Sequence, residues 1–213
     1  MQNHAPPVAP PPPRVFNYSL DWRFLLPISD LSRVFVVFEE DADLSQTLTH
    51  IGISVSNQLS PADVKREQAL KAESFVLPFG WPVRWVGMQA EDHIELYRSL
   101  RRLIEPGGHF LIGFNNAWYG HRSGSKYHSA RPGQVASQLH QAGYRSIEIL
   151  GVMPDLSIPE YILHLEPQSI LFALCHRFRR KPVILKLLQV FSHAPGWARM
   201  SSFLPCYFAV AVA

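Results

Sequence analysis

The chain has 213 residues, 47% of them hydrophobic and 17% charged, with a formal charge of +3; this is ordinary for a globular protein and enough for one domain with a full core. Its two cysteines, Cys175 and Cys206, lie far apart without a metal-ligand pattern. That excludes a disulfide scaffold, fits a reducing cytoplasm and suggests two core thiols.

Residues 1–15 hold Pro6-Pro7 and Pro10 to Pro13, a composition that predicts a disordered or polyproline II tail able to recruit a proline-binding partner or to act as a tether. The segment has no apolar core and no charged start, so it does not read as a secretory signal. A single domain is expected over 16–213. Arg33 to Phe38 predicts a first strand and Leu44 to Leu48 a first helix. Between them, Phe38-Glu-Glu-Asp-Ala-Asp43 is acidic, and carboxylates there suit the exposed N–H groups of a helix start. The loop lacks the glycine and spacing of a calcium-binding loop, so no metal site is expected. Ile51 to Ser56 predicts a second strand, followed by a capped helix over 60–71 with Pro61 in its first turn, and by a strand at Phe75 to Phe79. The connection leaves no room for a further parallel strand and its crossover.

Leu100, Leu103 and Ile104 repeat at helical spacing with Arg101 and Arg102 turned outward. Pro106-Gly107-Gly108 then predicts a turn with a positive φ, and His109 to Phe114 an apolar strand covered on both faces. Gln134 to Pro154 predicts a helix, an Ala-Gly-Tyr stop and another strand, and Phe203 to Ala213 a last strand. An insertion over 157–202 separates these two strands, with helices expected at Pro167 to Phe178 and Pro182 to Phe191. Neither apolar run in it approaches the roughly 20 residues of a membrane span. His176 to Lys181, Lys186 and Arg199 concentrate positive charge in this last third, which suits phosphate, nucleic acid or an anionic membrane surface, without a specific nucleic-acid motif.

Leu100 to Asn116, together with Phe16 to Pro27 and Gln134 to Pro154, resembles class I S-adenosylmethionine-dependent methyltransferases. The resemblance implies a Rossmann-like α/β sheet, abbreviated in its first half, whose last two strands form an antiparallel hairpin interrupted by the helical insertion. It also implies S-adenosylmethionine as cofactor. Where the family carries an acid and three alternate glycines, this chain has Val36, Phe38, Glu40 and Ala42, and no glycine precedes Gly52. Each side chain adds a Cβ where the cofactor's backbone cradle is expected.

At the end of the second strand, where the family has a carboxylate for the ribose hydroxyls, the candidates are the amides Asn57 and Gln58. Trp81 stands where family members contact adenine or the acceptor. After the fifth strand, Asn115 and Asn116 open a polar loop in which His121 or His128 could take a proton from an acceptor and Tyr119 could orient it. No Ser-His-Asp, phosphate-loop or zinc signature competes. Trp22 reads as a packing or rim residue, and His50, His93 and His140 as surface groups. The residues therefore favour a methyltransferase-like protein with a degraded cofactor site, a pseudoenzyme that binds or scaffolds through 157–202 or the proline tail, over an active methyltransferase acting on a small molecule or biosynthetic intermediate.

Overall fold

A computed structural model describes residues 21–27, 31–38, 42–60, 72–77, 90–118, 129–156, 158–191 and 204–213. The expected proline tail, the helix over 60–71 and much of the polar loop after Trp118 lie outside these residues.

The strands are β1 (Val34–Val37), β2 (Gln58–Leu59), β3 (Ala72–Leu77), β4 (Ile104–Asn116), β5 (Ser129–Ala130), β6 (Arg145–Met153), β7 (Tyr161–His164) and β8 (Cys206–Val212). The helices are α1 (Ala42–His50), α2 (Ala90–Leu103), α3 (Pro132–Gln141), α4 (Pro167–Arg177) and α5 (Pro182–Phe191). One sheet runs in the order β2-β1-β3-β4-β8-β6-β7, with β5 on the end of β4. Strands β1 to β5 pair in parallel, whereas β8 is antiparallel to both β4 and β6. The mixed sheet and the antiparallel β6–β8 pair agree with the sequence reading, and among the described residues β2 is the outermost strand on its edge.

Alternation along the strands builds a core on each face. Phe35, Phe75, Phe110, Ile112 and Phe114 meet α2, α3 and α4 through Tyr97, Leu100, Leu139, Ile170 and Ala173. Val34, Val36, Val76, Leu111 and Phe208 meet α1 and the N-terminal segment through Leu44, Leu48, Trp22 and Leu26. Aromatic pairs lock the first face: Tyr97 meets Phe110 edge-on at 5.8 Å between centroids, and Phe110 lies 5.1 Å from Tyr144. The Tyr144 hydroxyl donates to the Tyr97 carbonyl at 3.2 Å, and burial raises its pKa above the usual tyrosine value.

The Pro-Gly-Gly turn has the expected form. Gly107 takes φ +83, and the pairing of β3 jumps from Ala72 with Ile104 to Ser74 with His109, so the turn is looped out between helix and paired strand. Gly143, at φ +94, ends α3 as the Ala-Gly-Tyr stop requires.

Four expectations are corrected. Ile51 to Ser56 is a turn and the start of a 3-10 segment rather than a strand; the pairing falls on Gln58 and Leu59, opposite Val36 and Val37. The insertion contains, besides its two helices, the strand β7, which extends the sheet by pairing with β6. His93 is buried because it shares the inward face of α2 with Tyr97 and Leu100, at i, i+4 and i+7. Cys206 is buried, but Cys175 is only half-buried.

Candidate functional site

In an open α/β sheet ligands collect beyond the carboxyl ends of the strands, so the site is built there from each strand in turn. At the end of β1, Val36 is fully buried in the sheet. Phe38 follows, its backbone N–H donating to the Leu59 carbonyl at 3.1 Å and its half-buried ring packed against the core beneath α1. Helix α1 begins at Ala42, with Asp43 in its first turn, where a carboxylate is favoured by the helix dipole. Glu40 lies outside the described residues.

Both amides expected at the ribose position are engaged within the fold. Asn57 precedes β2 and donates its side-chain N–H to the Ser32 carbonyl, at the opposite end of β1. Gln58 points onto α1: its Oε1 accepts the Ser45 hydroxyl at 2.6 Å, and its Nε2 faces Thr49 Oγ1 at 3.1 Å and the Ile53 carbonyl at 3.2 Å. The residue that follows β2 at its carboxyl end is Ser60. Trp81, Tyr119, His121 and His128 lie outside the described residues, so only the two asparagines of the other candidates are placed.

Those two sit at the end of β4. Asn115 Oδ1 accepts the Cys206 thiol at 3.2 Å from the adjoining strand. Asn116 is fully buried and ties three segments together. Its Nδ2 donates to the Leu204 carbonyl at 2.7 Å and to the Tyr207 hydroxyl at 3.2 Å, and its Oδ1 accepts the Trp118 N–H at 3.1 Å. An amide with both hydrogens and an oxygen lone pair engaged positions the strand end more than it offers a ligand a hand. Cys206, buried beside Asp155, has its thiol pushed up to about 12, first by burial and then by the Asp155 charge. It is neutral at physiological pH and a poor nucleophile.

Beyond Asn116 opens a cleft of about 480 Å³, lined by Asn116, Trp118, Arg131, Pro132, Gly133, Gln134 and Leu165. The first turn of α3 supplies Pro132 to Gln134, Pro132 being suited to a helix start because it lacks an N–H. Among the described lining residues, Arg131 carries the charged side chain. A guanidinium beside the backbone of a helix start suits a polar or anionic group. Sequence reasoning did not find Arg131, Gln134, Leu165 or Cys206 here; the Arg-Pro start of a helix just after β5 was the available signal for the first. Among the described residues, no group of three His, Cys, Asp or Glu side chains is placed to hold a metal ion.

No protein-family model and no curated protein matches the sequence. Solved structures do match the fold. An S-adenosylmethionine-dependent methyltransferase from Archaeoglobus fulgidus superposes with a TM-score of 0.50 at 11% identity, over 85% of this chain and 86% of that one. Another from Mesorhizobium loti gives 0.48 at 12%, over 91% and 97%. Phosphoethanolamine N-methyltransferase 2 from Haemonchus contortus, in complex with S-adenosyl-L-methionine, gives 0.48 at 14%, over 90% of this chain and 50% of that one. With its parallel first half and reversed β8, this chain has a class I methyltransferase-like fold.

Proposed function

We propose that this chain is a methyltransferase-fold protein without methyl transfer, acting as a non-catalytic binding or scaffolding subunit of a biosynthetic pathway in the cytoplasm. The observation that carries the reading is Phe38. At the position of the family's first glycine, its N–H is engaged by Leu59 and its ring rests on the core. The backbone there has a side chain in place of the open approach a nucleoside-bearing methionine needs. Val36 supplies no acid, and the Gln58 amide is held on α1. The residues present do not fit S-adenosylmethionine.

The retained strand order favours a second reading, an active S-adenosylmethionine-dependent methyltransferase of a small molecule or biosynthetic intermediate. Isothermal titration with S-adenosylmethionine and S-adenosylhomocysteine separates the two. The non-catalytic reading expects no saturable heat at roughly millimolar ligand, where a dissociation constant near 1 μM corresponds to about 8 kcal/mol of binding. Saturable micromolar binding establishes the second reading instead.

A further inference from the structure

The α4–α5 hairpin carries five cations, Arg177, Arg179, Arg180, Lys181 and Lys186, and no Asp or Glu anywhere in residues 167–191. The chain as a whole is only +3, so this one projection, with five cations and no acid, has a larger net charge than the entire chain. The two helices are anchored unequally. Helix α4 buries Ile170 and Ala173 against the sheet, whereas none of the described side chains of α5 is buried. Large apolar groups stay in water instead: Phe172 is 69% exposed, Val183 70% and Val190 71%. In α5, Val183, Lys186 and Val190 fall at i, i+3 and i+7, one face of the helix. Arg179, Arg180 and Lys181 form the exposed turn between the helices, with the Lys181 ammonium 6.0 Å from the centre of the Phe178 ring.

We infer that this hairpin is a peripheral membrane-docking element, seating the apolar face of α5 among the headgroups of an anionic bilayer with the Arg179-Arg180-Lys181 turn on lipid phosphates. Exposed aliphatic groups beside a dense, acid-free cationic turn match a surface that is apolar within and negative at its rim. Lys186, on the apolar face itself, can lay its methylenes along that face and lift its ammonium to the interface. A second copy of the chain does not complement the surface, because five cations would meet five cations. Nucleic acid offers the negative charge but no apolar layer for Val183 and Val190. Among the described residues no helix is long and apolar enough to cross a membrane, so α5 lies along the surface. The inference is independent of cofactor binding and stands or falls apart from it.

The test is sedimentation of the full chain with vesicles of phosphatidylcholine alone and of phosphatidylcholine with roughly one-third phosphatidylserine. The protein is expected in the pellet with the anionic vesicles only, and to be released as salt is raised toward ~0.5 M. Arg179→Glu/Arg180→Glu/Lys181→Glu is expected to weaken binding about a hundredfold, at roughly fivefold per cation. Val183→Ser/Val190→Ser is expected to weaken it roughly tenfold without changing the salt response. Arg177→Gln/Lys186→Gln, a milder pair of exposed changes, guards against a misfolded triple variant; it should retain the parent's melting temperature and lose about twentyfold. Equal binding to neutral vesicles, undiminished binding by either charge variant, or a folded protein that ignores both vesicles while capturing another protein overturns the inference.

Discussion

Along β4 and β8 seven consecutive residues pair, from His109 with Val212 to Asn115 with Cys206, whereas β1 and β2 share two pairs, Val36 with Gln58 and Val37 with Leu59. The second half of the sheet has aromatic cross-packing on one face, the Asn116 amide pinning its carboxyl end, and an added strand, β7. The first half is a short edge tied by polar side chains: Gln58 braces α1 through Ser45 and Thr49, and Asn57 holds the Ser32 carbonyl at the start of β1. A methyltransferase-like sheet holds its cofactor at the first half. In this chain the described side chains of that half are tied into the fold, and the cleft lined by Asn116 and Arg131 lies at the second.

The largest expected effect tests the rigidity of the second half. Phe110, fully buried between Tyr97 and Tyr144, should cost about 3–5 kcal/mol when changed to Ala, read as the loss in urea midpoint at an unchanged slope. A loss under about 1 kcal/mol would mean that the aromatic stack is not the centre of stability. Next, Asn116→Ala removes the Nδ2 hydrogen bonds to the Tyr207 hydroxyl and the Leu204 carbonyl and should cost about 2–3 kcal/mol in the same assay. Gly151→Ala comes third: its new Cβ would stand 2.1 Å from Leu204 Cδ1, and Leu204 is buried, so about 1–3 kcal/mol of overpacking is expected. Gln58→Ala, on the edge, should cost only about 1 kcal/mol. If it costs as much as Asn116→Ala, the contrast between the halves fails.

Alkaline pH gives a gentler contrast. The Cys206 pKa rises from the ordinary thiol value near 9.0 to about 12 on folding, so the folded state holds the proton that the unfolded chain releases. Its contribution is intact below about pH 9 and is lost as pH climbs toward 12. Tyr144, raised above 10.0, adds to the decline further up. The melting temperature should fall through this window, and more shallowly in Cys206→Ala. In the native protein at neutral pH, iodoacetamide should label the half-buried Cys175 before Cys206.

Much of this fold was legible because local and tertiary signals agree. Pro106-Gly107-Gly108 demands a positive φ that only the looped-out turn provides, and Pro167 and Pro182 open helices where proline is favoured. The errors arise where long-range pairing decides. Ile51 to Ser56 alternates like a strand, yet the hydrogen bonds of β1 select Gln58 and Leu59. Tyr161 to His164 is too short to announce itself and exists because β6 leaves an edge to pair. His93 was legible after all, since its spacing to Tyr97 and Leu100 marks the buried face, though the acidic residues beside it in the sequence read as a solvent face. Of the candidate residues, Asn115 and Asn116 lie at the carboxyl end of β4, but the sequence alone does not reveal that Asn116 is a clamp. Arg131 and Leu165 come to the cleft from elements remote in sequence, which no local pattern encodes.

The central claim is that Phe38 and its surroundings replace the family's cofactor cradle. The most direct measurement is a crystal of the full chain grown in a large excess of S-adenosylhomocysteine. The account predicts no nucleoside between Phe38, Leu59 and the first turn of α1. An ordered adenosine seated there, with the Phe38 ring displaced, would contradict it.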